Sequence, residues 1–189
     1  MPIERRTAAG LLFAGAAFLS WGLLPVYWKA LQAAPAQEIL CHRIVWSAAF
    51  TFLILLVSRR LGEVRAALRG SGSLLPLVAS STLIGVNWFT YIWSVNAGHV
   101  VEASLGYYIT PQVNALLGFA FLRERPRRLQ WLAVLLATAG VANALLAFGR
   151  LPWVALVLSC SFGLYGLARK TMRTEPPPGL FLETALLTP

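Results

Sequence analysis

Aspartate is missing from this 189-residue chain, and its acidic complement is seven glutamates placed one at a time along the sequence. No two of them share a helix face, so the paired-carboxylate chemistry of many hydrolases has no residues to use. The two histidines, His42 and His99, stand at no metal-ligand spacing from each other or from the two cysteines. Cys41 and Cys160 fall inside apolar runs and read as small buried hydrophobes rather than as a disulfide or a metal site. Walker and GxSxG motifs are absent as well. These gaps leave no catalytic constellation, no cofactor and no metal to expect, and an intramembrane hydrolase or lipid transferase stays a weak alternative.

Charge is also scarce. Only 12% of the residues are Asp, Glu, Lys or Arg, whereas 58% are hydrophobic and the mean hydropathy is +0.67. Soluble domains carry roughly twice that charged fraction, so the balance indicates a membrane protein in contact with lipid. The net charge of +9 would suit a nucleic-acid partner. Its distribution argues against one, because the basic residues sit in short clusters between apolar runs and form no continuous basic face.

Six stretches have the roughly 20 apolar residues that a helix needs to cross a bilayer. They lie near Ala8–Trp28, Ile39–Ser58, Leu74–Val95, Ala103–Leu122, Leu129–Phe148 and Leu151–Ala168. The connections after the second and sixth are longer and basic. Arg5 and Arg6 precede the first span, and Arg59, Arg60, Arg65 and Arg69 follow the second. Arg123, Arg125, Arg127 and Arg128 follow the fourth, and Arg169, Lys170 and Arg173 the sixth. The opposite side holds only Lys29 and Arg150, so the positive-inside rule puts the N-terminus in the cytoplasm. Trp21, Tyr27 and Trp28 close the first span with an aromatic belt, which fits a retained helix better than a cleaved signal. After Pro176-Pro177-Pro178-Gly179, a turn signal, an apolar run of ten residues reaches Pro189. It is too short to span, so it is expected to lie at the interface or to open a span of a longer protein, the second being favoured.

Within the spans, polar residues need a reason. Glu38 and His42 are four apart and share a helix face that Trp46 continues. Arg43 lies roughly 7.5 Å deeper than Glu38 at helical rise, where a charge snorkels, pairs, or serves a site. Asn87, Tyr91 and Ser94 form a polar stripe, near Trp88 and Asn96, that suits either a water-lined cavity or hydrogen bonding between helices. The fourth span begins at Glu102 and presents Ser104, Tyr107, Pro111 and Asn114 on one side. Pro111 removes a backbone hydrogen bond and Gly106 adds freedom, so a kink is expected there. Freed carbonyls beside a polar face make this span the first choice for a substrate-facing element. Gly163 and Gly166 would permit close helix approach in the sixth, and Glu124 is expected to pair locally among the arginines of the fourth connection.

The segments WGLLPVYWKAL (21–31), EILCHRIVWS (38–47), NWFTYIWSVN (87–96), EASLGYYITPQVNALLG (102–118), LRERPRRLQWLAV (122–134), SFGLYGLARK (161–170) and ETALLTP (183–189) closely resemble the bacterial RarD proteins, in the EamA branch of the drug/metabolite transporter superfamily. The resemblance implies an all-α, inner-membrane transporter of ten helices, built as two five-helix repeats of inverted topology. Here it would supply one repeat over residues 1–148 and the start of a second, apparently truncated, over 149–189, that is, six spans and the beginning of a seventh. It implies alternating access for a small organic solute, with the rest of the second repeat or a second copy needed to complete the fold. A membrane-embedded scaffold, or a transporter fragment without function of its own, is the alternative. Resemblance and polarity together nominate Trp21, Tyr27, Trp28, Glu38, His42, Arg43, Asn87, Tyr91, Asn96, Glu102, Tyr107 and Pro111 for the substrate pathway. Glu38, His42 or Glu102 would bind a proton if transport is coupled to one.

Overall fold

A computed structural model describes residues 2–69, 74–124, 127–149, 151–172 and 174–188. Arg125, Arg150, Arg173 and Pro189, used above for orientation or resemblance, lie outside them. The described residues form helices joined by short turns: α1 (Pro2–Ala30), α2 (Ala36–Val57), α3 (Leu61–Arg69), α4 (Leu74–Asn96), α5 (Val100–Leu122), α6 (Arg128–Phe148), α7 (Trp153–Thr171) and α8 (Pro176–Leu187). The six apolar stretches thus appear as α1, α2, α4, α5, α6 and α7, with ends within a few residues of those expected.

Of these, α1, α2, α4 and α6 are long and apolar enough to cross a membrane on both counts. The other two, α5 and α7, have 23 and 19 residues, ample length, with polar residues set among the apolar ones. They carry Glu102, Gln112 and Asn114, and Ser159, Ser161, Arg169 and Lys170, respectively. Polarity and position agree, because α5 and α7 make the most extensive helix–helix contact in the bundle, and α4 adds the next on α7. Polar groups have gone where other helices, rather than lipid, receive them.

The contact between α5 and α7 works through missing side chains. A methyl on Gly106 would come within 3.1 Å of Leu158 Cβ and 3.2 Å of the Ala155 carbonyl oxygen. One on Gly163 would meet Val113 Cγ1 at 2.6 Å. Lipid tails give helices no hydrophobic reason to associate, so close backbone approach and dispersion must hold them together. Gly163 does what its spacing promised. The freedom expected of Gly106 is spent instead on proximity, and α5 runs on as one helix through Pro111.

Buried hydroxyls are satisfied within their own helices. Ser81 donates to the Leu77 carbonyl at 2.7 Å, Ser94 to Tyr91 at 2.8 Å, and Ser161 to Leu158 at 3.2 Å. Returning the proton to the preceding turn lets serine sit where a bare hydroxyl would be costly.

One element was not foreseen, and two expectations fail. The basic second connection holds a short amphipathic helix, α3, whose Leu61, Val64 and Ala67 pack with Leu55, Leu77 and Leu182. Their spacing of three puts them on one face, a signal masked by the arginines between them. Arg60 donates to both oxygens of Glu63 at 2.6 and 2.7 Å, which holds that carboxyl below its usual range. Next, the proline run starts α8 instead of a turn. First-turn amides have no partner to lose, so proline costs nothing there, and α8 then tucks against α2, α4 and α3 rather than lying on the interface. Finally, Cys41 and Cys160 are exposed on the outer faces of α2 and α7, where lipid would meet them.

The roles of the two glycine types can be separated. Gly106→Leu is expected to destabilise the solubilised chain by about 1–3 kcal/mol, as overpacking does. Gly140→Leu, at a position whose added carbon meets nothing within 4 Å, should leave the thermal midpoint unchanged. Equal midpoints for the two would remove the close-approach account.

Candidate functional site

Four helices bring an aromatic enclosure to Arg43, about two turns into α2. Its guanidinium carbon lies 4.1 Å from the ring centroid of Trp88 on α4 and 5.5 Å from that of Trp28 on α1. Tyr91 of α4 and Tyr107 of α5 are the phenols it senses electrostatically. Their rings meet edge-on at 5.8 Å. Trp28 and Tyr91 are buried, whereas Tyr107 is 57% exposed, so the enclosure is open on the α5 side.

The local reasons are plain in the sequence. Trp88 and Tyr91 are three apart on α4 and so stand side by side. Trp28 reaches inward from the last turns of α1, with Tyr27 stacked edge-on against it at 4.8 Å. A guanidinium over an indole face gains on the order of 0.5–2 kcal/mol, more as water is excluded. Among the described residues the ion pairs are Arg60–Glu63, His99–Glu102, Arg169–Glu183 and Lys170–Glu124, and none includes Arg43. Aromatic faces and phenol oxygens are what Arg43 has in place of a carboxylate.

The sequence nominees divide. Trp28, Arg43, Tyr91 and Tyr107 come together. Asn87 is adjacent but committed, since its amide donates to the Leu158 carbonyl and to Ser161 Oγ, both at 2.9 Å, tying α4 to α7. Glu102 is buried a turn above Tyr107, its Oε1 3.2 Å from His99 Nδ1, and Trp93 stacks on His99 at 5.4 Å. Asn96, half-buried at the end of α4, keeps a side-chain oxygen without a hydrogen-bond partner. Trp21, Glu38, His42 and Pro111 are exposed and do not join the enclosure. Glu38 and His42 share a face, as their spacing requires, but that face turns away from Arg43. Ser104, Tyr107, Pro111 and Asn114 also share a face and are exposed, with Tyr107 touching α4 and Asn114 touching α7 at its edges.

Two features escaped the sequence reading. Trp88 sits one residue off the polar stripe and is not among the pathway nominees, although an indole near an intramembrane arginine is a signal in hindsight. The second is a charged cluster at the opposite end of the bundle. Glu183 of α8 is wholly buried, accepts the Tyr165 hydroxyl at 3.2 Å, and lies 3.6 Å from Arg169 Nη1. Gly179 makes the space, because a methyl there would stand 2.6 Å from Arg169 Cζ. A lone glutamate in an otherwise apolar run was the available clue. Close by, Glu124 pairs with Lys170 at 2.7 Å, and this pair is more than half exposed. It stands beside a cavity of about 220 Å³ between α5 and α7, walled by Asn114, Gly118, Gly163 and Gly166.

Comparison with known proteins agrees with this architecture: residues 8–146 match the model of the EamA-like transporter family. This chain belongs to that family. Protein RarD of Salmonella typhi is 47% identical over 185 residues, covering 98% of the chain, and the Escherichia coli protein of the same name is 44% identical over the same length. An uncharacterized transporter of Bacillus subtilis, YojE, is 46% identical over 187 residues. The chain spans 62–63% of the length of these three relatives. No solved structure matches it. As an EamA-family member with membrane-length helices, the chain is an integral protein of a bacterial membrane.

Glu183→Ala leaves Arg169 facing a buried site without its counter-charge. The expected loss is about 3–5 kcal/mol, the usual cost of orphaning a buried ion, read as a lower thermal midpoint in detergent. Glu183→Gln, which keeps an acceptor for Tyr165, should lose less. A null effect for both would make the cluster energetically idle.

Proposed function

We propose that this chain builds much of a secondary transporter that moves a small organic solute across a bacterial inner membrane by alternating access, with its N-terminus in the cytoplasm. The observation that carries the reading is Arg43, a cation inside a membrane-length helix that no carboxylate of the described residues neutralises. Such a group is expensive to maintain and marks a solute pathway by default. In this reading residues 1–148 form one five-helix repeat and 149–189 open a second. Sites of inverted-repeat transporters lie where repeats meet. The open side of the enclosure therefore awaits a surface supplied by sequence equivalent to the relatives' remaining length, or by a second copy. Energy comes from a gradient rather than from a nucleotide, and Glu102, the buried one of the three carboxyl and imidazole candidates, takes the proton.

One observation favours a second reading. Asn87 uses its amide for interhelical bonding, as a membrane-embedded scaffold protein would.

Mass-spectrometric comparison of medium and cytosol from cells producing the protein separates the two. Redistribution of at least one small solute is expected, and Arg43→Ala should abolish it with unchanged protein in the membrane. If no solute moves although the protein is folded and abundant, the scaffold reading takes over. Flux should also fall when an uncoupler collapses the proton gradient, and Glu102→Gln should make the residual flux insensitive to that treatment. Flux that ignores the uncoupler in the unaltered protein would rule out proton coupling.

A further inference from the structure

Among the described residues, the polar groups around Arg43 include donors but no anion. The guanidinium offers five N–H groups and accepts nothing. The Trp28 indole N–H is buried and has no acceptor among the described residues. The rings of Tyr91 and Tyr107 meet edge-on at 5.8 Å, and each phenol has one O–H to give besides an oxygen that accepts. Against these donors stands no carboxylate, since the ion pairs of the described residues all lie elsewhere. The walls are flat and apolar: the indoles of Trp28 and Trp88 on the cation, and the 57% exposed ring of Tyr107 at the opening.

Surplus donors, one unneutralised cation and aromatic walls make a receptor for an oxyanion on a planar apolar body. From this we infer that the solute is an organic acid, its carboxylate held by Arg43 and its body laid against Trp88 and Tyr107. The inference rests on the reading of this enclosure as the transport site and gives that site a substrate class. A cationic solute meets like charge here. A neutral one leaves the guanidinium uncompensated, whereas a carboxylate can take two parallel N–H bonds from it. A lipid phosphate carries the same oxyanion chemistry, so the source must be tested.

The test is calorimetric titration of the full 189-residue chain in nanodiscs with three probes of one shape: benzoate, benzamide and benzylammonium. In neutral phosphatidylcholine discs, saturable heat is expected for benzoate alone. Arg43→Gln should weaken benzoate binding at least about tenfold, which is 1.4 kcal/mol. Tyr107→Phe removes one hydroxyl from a residue that is 57% exposed and should weaken it a few-fold while leaving the fold intact, so a misfolded arginine variant does not end the experiment. Benzamide binding as tightly as benzoate, or benzoate binding unchanged in both variants, overturns the inference. Discs of phosphatidylglycerol separate the sources. Benzoate binding that persists there supports a solute site, and binding that vanishes there assigns the oxyanion to a headgroup and overturns it. If benzoate fails to bind in any disc while cellular flux of a neutral solute still needs Arg43, the transporter reading stands and only the substrate class falls.

Discussion

A guanidinium among apolar helices is the most demanding group in this chain, and the packing of one end of the bundle is arranged around it. Arg43 cannot shed its proton and has no carboxylate to meet, so indole faces from two other helices receive it. That requirement fixes the rotation of α1 and α4 about α2, because Trp28 and Trp88 must both face the same cation. Ile92 and Val95 then point toward α7, where Val154 and Leu158 complete the core of this end. The other end solves the same problem in a different way, with a real counter-ion: Glu183 meets Arg169 and Tyr165. One cation is held by polarisable surfaces and can accept a further charge, whereas the other is already matched.

Hydrophobic run length made the helices legible, since a membrane span leaves little choice of secondary structure once water is gone. The ends agreed to within a few residues because charges and turn residues mark where lipid stops. Short elements were harder. Helix α3 has an apolar face of only three residues, and α8 begins with prolines that usually read as a turn, so both depend on where their neighbours stand. Spacing also placed Glu38 with His42, and Asn87 with Tyr91, on common faces. It could not say which face turns inward, because lipid and protein are both apolar surroundings. That ambiguity is why Glu38 and His42 were grouped with Arg43 and are found on the outside.

Polarity sorted itself in a way that composition alone only hinted at. Helices α4, α5 and α7 set many of their polar residues against one another, and α1 and α6, with none of their most apolar stretch buried, are more loosely attached. Serine, asparagine and glycine are therefore assets at the centre of this bundle, where they shorten distances and bond across helices, and the bulky aliphatic residues are moved to its rim.

The direction of α5 and α7 adds a constraint. Gly106 opposes Ala155 and Leu158, and Gly163 opposes Val113 and Leu117, so the chain order along both helices is the same. Parallel neighbours align their peptide dipoles and bring two negative ends to one surface. Arg169 and Lys170 occupy the last turn of α7 at that surface. These cations thus screen a fixed dipole repulsion generated by the backbone itself, in addition to any role in setting orientation. Neutralising Lys170 would weaken this helix pair twice over, because its ammonium also bonds Glu124 just beyond the end of α5.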